Sequence, residues 1–176
     1  MAAQTAATNK ESYFQPTLLA LTPGAAKDAA DTMWYDFSPS LATAPISTQT
    51  TLEPVMSSEN AGNEAYAVGA KGWSIDVSMM GDSELVTLST VFKDKEAVWV
   101  IVPDNTIVLS ATNVARWCTG VVANLSSVVE TAKPPQLTFQ ISPGPTNTGI
   151  HFASTRNALV GASPNAGYTN IPLKSA

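Results

Sequence analysis

The chain has 176 residues, of which 14 are acidic and 9 basic, with a formal net charge of −5 and only 13% charged side chains. That length fits one domain, and an acidic chain without a basic cluster excludes a phosphate-gripping nucleic-acid binder. One cysteine, Cys118, excludes an internal disulfide, and the longest wholly apolar run, Ala97–Val102, falls far short of the roughly 20 residues of a membrane-spanning helix.

The low charge has a further consequence. Solvent-facing positions must be filled largely by Ser, Thr and small residues, which enter a protein contact at lower desolvation cost than Lys or Glu. Such a surface suits a subunit that assembles with others. The opening MAAQTAATNKES has no apolar core of signal-peptide length, so no export address is expected from it.

Residues 1–15 are small and polar and end in Tyr13 and Phe14, the composition of an arm anchored by its aromatics on a partner. TLLALT (Thr17–Thr22) is expected to be the first strand, followed by a Pro-Gly turn and loop, and MWYDF (Met33–Phe37) a second, aromatic strand. Pro39, Pro45 and Pro54 then confine any strand to Ile46–Leu52. Val55–Gly72, rich in Gly, Asn and Ser, reads as a long exposed loop.

In GWSIDVSMM, the period-2 rule puts Trp73, Ile75, Val77 and Met79 on a core face and Ser74, Asp76, Ser78 and Met80 on the other. Gly81-Asp82 breaks the strand. Asp82 is expected to cap a helix over about residues 82–94, with Glu84 in its first turn and Leu85, Leu88 and Phe92 as its apolar stripe. AVWVIV (Ala97–Val102), stopped by Pro103, suits a strand covered on both faces. TIVLSA (Thr106–Ala111) is expected to form a strand and ATNVARW a connection. TGVVANLSSVVET and PPQLTFQIS supply two more strands, the second alternating Leu137, Phe139 and Ile141 with Gln136, Thr138 and Gln140. From Pro143 the chain shows no sustained period and reads as an extended tail with at most one short element around Arg156–Val160.

Chemistry is sparse along this chain. Cys118 and His151, each single of its kind, are the only residues from which a thiol-imidazole nucleophile could be built, and nothing in the spacing places them together. No metal-ligand spacing appears; a hard-cation site could be built only from loop carboxylates such as Glu59 and Glu64. No phosphate-binding loop follows a strand, Asp82 and Glu84 are accounted for as helix-capping groups, and the Asn124-Leu125-Ser126 sequon sits in an expected strand. Trp73 and Trp99 belong to core strands, whereas Trp34 and Trp117 are candidate interface anchors. The expectation is a protein without catalytic residues, metal or cofactor.

The succession GWSIDVSMM, GDSELVTLSTVF, AVWVIV, GVVANLSSVVET and QLTFQIS, within Gly72–Ser142, resembles the phage tail tube (major tail) protein family. The resemblance implies a mainly β fold: a β-sandwich or barrel of two packed sheets over residues 16–142, flanked by one helix, with an N-terminal arm over 1–15 and an extended tail over 143–176. It implies homohexameric rings stacked into a tube in the virion tail, built in the host cytoplasm with other tail proteins and without a membrane. The genome DNA passes through the lumen without specific binding, as a net-negative, hydroxyl-rich wall would permit. Ser74, Asp76 and Ser78 are then the candidate lumen face, and Tyr13, Phe14, Trp34 and Trp117 the candidate intersubunit anchors. The proline-broken segment 38–54 departs from the family's long hairpin. A capsid decoration protein and a carbohydrate-binding β-sandwich are the alternative readings.

Overall fold

A computed structural model describes residues 16–25, 34–55, 65–146, 149–161 and 171–173. The strands are β1 (Thr17–Leu21), β2 (Trp34–Asp36), β3 (Leu41–Thr43), β4 (Ile46–Val55), β5 (Ala65–Met80), β6 (Glu96–Val102), β7 (Ala115–Val128), β8 (Gln136–Pro143) and β9 (His151–Ala153). They form a single sheet in the order β2-β1-β6-β7-β8-β5-β3, with β4 also pairing β5 and β9 also pairing β7. The fold is mainly β, as the sequence implied, with one continuous hydrogen-bonded sheet in place of two separate ones.

That sheet is curled. β2 and β3 lie at opposite ends of the strand order. A flat path of seven strands would hold its ends about 29 Å apart, yet only Phe37–Ser40 separates β2 from β3 in sequence. Those residues reach across about 18 Å at most, so the sheet must bend round into a barrel-like form.

Its inward face holds the larger core. Leu18 and Ala20 of β1, Trp73, Ile75, Val77 and Met79 of β5, Trp99 and Ile101 of β6, Cys118 and Val122 of β7, and Leu137, Phe139 and Ile141 of β8 form one cluster with Phe37, Leu88 and Phe92. The indole of Trp99 is its hub, with ring centroids of Phe92, Phe37 and Phe139 at 5.3, 6.0 and 6.0 Å. Its Nε1–H donates to the Gly120 carbonyl at 3.1 Å. Gly120 has no room for a side chain: a Cβ there would meet Ile141 Cγ2 and the Ser142 carbonyl at 2.8 Å.

Leu88 and Phe92 come from a helical segment in which α1 (Leu85–Thr87) runs into a π-helical turn (Leu88–Phe92). Both side chains are fully buried, each contributing roughly 1.5–3 kcal/mol, while Leu85, the third residue of the expected stripe, is half-buried against the same cluster. The expected cap is corrected. No side chain caps this segment; the carbonyls of Asp82 and Glu84 accept from Leu85 and Leu88 at 3.0 and 2.9 Å, and Lys93 N–H donates to Leu88 in the π pattern at 2.9 Å.

Strand β6 is buried along both faces, and the second cover is the chain's own C-terminal part. Val98, Val100 and Val102 pack with Leu19, Leu21, Trp34, Ala115 and Trp117 against Ala153 of β9, Leu159 of α2 (Arg156–Gly161), Ile171 and Leu173. Arg156 Nη1 donates to the Leu173 carbonyl at 3.2 Å and Asn105 Nδ2 to that of Pro172 at 3.5 Å. The short element expected near Arg156–Val160 is present, whereas the described parts of the tail lie on the sheet and are not an extended arm.

Two further expectations are corrected. Thr106–Ala111 is not a strand, because the buried Asn113 amide donates to the carbonyls of Asp104, Ile107 and Val108 and gathers the segment into turns. Of Val55–Gly72, residue 55 and residues 65–72 are strand, while 56–64 lie outside the described residues: β4 and β5 pair antiparallel from Ile46↔Ile75 to Val55↔Ala65. Pro54 lies opposite Tyr66 within that ladder, which an outer strand tolerates because its missing N–H need not face a partner. Segment 38–54 therefore enters a long hairpin after all.

Candidate functional site

The tail covers the outer face of β1, β6 and the first half of β7. The outer face of β5, β8 and the second half of β7 carries a different set of side chains. Along β5, Trp73, Ile75, Val77 and Met79 are buried while Ser74 and Ser78 are half-buried and Asp76 and Met80 exposed. The alternation puts Ser74, Asp76 and Ser78 together on one open face. Register extends that face across the sheet: Asp76 opposes Gln140, Ser78 opposes Thr138, and Thr138 opposes Ser126 on β7.

Hydrogen bonds knit the face together. Gln140 Nε2 donates to Asp76 Oδ1 at 2.8 Å, while Gln140 Oε1 accepts from Asn124 Nδ2 at 3.2 Å and from Ser142 Oγ at 3.1 Å. Asn124 reaches inward because the β7–β8 register shifts between Ala123 and Ser126 and its own φ is 51°, a conformation Asn adopts more readily than most residues. A shallow groove of about 290 Å³ runs between this network and Thr43, Pro45 and Thr138. Asp76 is the one carboxylate among these side chains, and none of them is Lys or Arg. The arrangement offers hydroxyls, amides and a single negative charge already occupied by an amide donor; it holds no nucleophile-base pair.

The other sequence candidates fall elsewhere. Trp34 and Trp117 are 7% and 2% exposed within the tail-covered core, which corrects their reading as interface anchors: their rings are consumed by folding the subunit. His151 stacks on Trp117 with ring centroids 4.1 Å apart, on the face of β7 opposite to Cys118, so the thiol and the imidazole are not brought together. Tyr13, Phe14, Glu59 and Glu64 lie outside the described residues. Among the described residues no group of three His, Cys, Asp or Glu could hold a metal ion, and no helix is long and apolar enough to cross a membrane.

Gln140 and Asn124 were not singled out from the sequence, although the alternation of Gln136, Thr138 and Gln140 was the signal that could have placed Gln140. Sequence reasoning also missed two strand edges at opposite sides of the polar face. Among the described residues, β4 pairs only with β5, and β7 from Ala123 to Val128 pairs only with β8.

No family model matches the chain, and no curated protein matches it in sequence. In fold it is similar to a subunit of the SPP1 tail tube, solved by solid-state NMR and cryo electron microscopy, with a TM-score of 0.54 and 11% identity, covering 80% of this chain and 77% of that one. The tail-tube resemblance read from the strand pattern is thus met at the level of fold.

Proposed function

We propose that this protein is the structural, non-enzymatic subunit of a phage tail tube, assembling with other tail proteins as hexameric rings stacked round a lumen that conducts DNA. The observation that carries the reading is the combination of a tail-tube fold with a polar sheet face that is uncovered, and bounded by strand edges that are unpaired, among the described residues. A strand edge with free N–H and C=O groups is a template for pairing with another chain. Here the β4 edge of one subunit would pair with the Ala123–Val128 edge of the next, a head-to-tail contact that closes into a ring when the rotation permits.

On this reading the face of Ser74, Asp76, Ser78 and Gln140 becomes the lumen wall. Its hydroxyls and amides, with one carboxylate per subunit and no cation, give DNA phosphates nothing to bind. The long β4–β5 hairpin is the element that would bridge successive rings, in the virion tail and during assembly in the host cytoplasm. Electron microscopy of the purified, concentrated protein tests this. Rings or hollow tubes are expected; a species that stays monomeric with and without tail assembly partners would overturn it.

A further inference from the structure

A second surface feature lies beneath the β4 edge, on the face turned away from Ser74 and Asp76. Residues of β4 alternate, so Ile46, Thr48 and Thr50, opposite Ile75, Trp73 and Lys71, line a groove of about 370 Å³ with Trp73, Ile150 and Phe152. Its lining is mainly apolar, and Phe152 stands 67% exposed at the rim. A large exposed phenyl beside an apolar groove is the signature of a protein contact.

The chain also carries a matching projection at the opposite edge of the same sheet. The helical segment 85–92 is held beside β7 by the Lys93↔Val122 bridge, next to the Ala123–Val128 edge, which among the described residues is unpaired on that side. Its outer face is Val86, 68% exposed, with Ser89 and Thr90, one turn apart and therefore adjacent. Both hydroxyls are already satisfied within the helix: Ser89 Oγ and Thr90 Oγ1 donate to the Val86 carbonyl at 3.0 and 2.7 Å. Burying this face strands no hydroxyl donor.

We infer that the groove of Ile46, Thr48, Trp73, Ile150 and Phe152 receives the Val86–Ser89–Thr90 face of a neighbouring copy, forming a second layer of contact behind the lumen sheet. The inference rests on the head-to-tail ring. When the β4 edge of one copy meets the β7 edge of the next, the groove under β4 and the helical segment beside β7 fall on the same side of the joined sheet. A head-to-tail interface needs two different, complementary patches: the groove is mainly apolar, the projection presents Val86 with two hydroxyls bonded within the helix, and none of the side chains named on either patch is charged.

Val86→Cys combined with Thr48→Cys tests it, because the native Cys118 is buried and does not compete. In assembled tubes, mild oxidation is expected to link subunits into dimers and longer ladders, while each single variant remains monomeric on denaturing gels. Tubes of the double variant that stay unlinked would overturn the inference. Where the double variant does not assemble, mixed tubes of the two single variants carry the same readout. Independently, Val86→Asp should leave unfolding of the subunit unchanged and raise the critical concentration for assembly at least about tenfold, the loss of one buried valine; assembly at the wild-type concentration would also overturn it. Wild-type protein that forms no rings would instead count against the tail-tube reading itself.

Discussion

Cys118 sits on β7 with 1% of its surface exposed, and burial pushes its thiol from the ordinary 9.0 up to about 12. A neutral thiol is a poor nucleophile and a poor redox partner, so the one residue that a catalytic reading would need is a core hydrophobe. The shift also sets a stability window. Above pH 9 the unfolded chain releases the thiol proton while the folded chain retains it up to about pH 12. The folded state then binds more protons, so stability falls as pH rises through that interval, by up to about 1.4 kcal/mol per pH unit. Denaturant unfolding of the wild type and Cys118→Ala at pH 8 and pH 10.5 checks this: the wild type is expected to lose more stability between the two, and equal losses would show that the thiol titrates normally. The same residue-scale logic governs Trp34 and Trp117. Their aromatic character was visible in the sequence, but whether a tryptophan is spent on the core or left for a partner depends on what covers its strand.

For β6 that cover is the C-terminal part of the chain, and its role is a matter of elements. Ile171 and Leu173 are 1% and 9% exposed over the β1–β6–β7 face. Replacing both by Ala in the unassembled subunit is expected to lower its unfolding free energy by about 2 kcal/mol or more per residue; a segment that served only to bridge neighbours would leave the isolated subunit unchanged. The elements that were legible in the sequence are those with a strong period: Gly72–Met80 by alternation, the stripe of Leu88 and Phe92, and the unbroken run of β6. Those that were not share a physical reason. The tail has no sustained period because its anchors are few and scattered: Leu159 on a helix of six residues, and Ile171 and Leu173 in irregular backbone. Thr106–Ala111 has strand-like composition, but the amide of Asn113 gathers the carbonyls of Ile107 and Val108 at 3.3 and 3.4 Å, which folds the segment into turns. The strands β4 and β5 were hidden by Pro54, Gly69 and Gly72, residue types that normally mark loops, although Pro is tolerated on an outer strand. The polar face itself was half legible: Ser74, Asp76 and Ser78 follow from period 2, while Gln140 and Asn124 join them only through register and a β-bulge.

At the scale of the whole molecule the question is which way that polar face looks in an assembly. An acidic, hydroxyl-rich surface facing solvent and one facing a lumen carry the same side chains, so the discriminating property is access. Asp76→Lys replaces the face's carboxylate with a cation, and Asp76 is exposed and, among the described residues, its carboxylate accepts from the Gln140 amide alone, so the subunit should fold and assemble as before. Tubes of this variant are expected to retain double-stranded DNA at low salt and to release it as salt rises, because each phosphate contact adds to the salt dependence. Wild-type tubes should retain none. If Ser74, Asp76 and Ser78 line the lumen, the retained DNA is enclosed and survives nuclease. DNA that binds to the variant tubes yet is digested would place the face on the outside, and the edges of β4 and β7 would then have to close the ring with the opposite curvature.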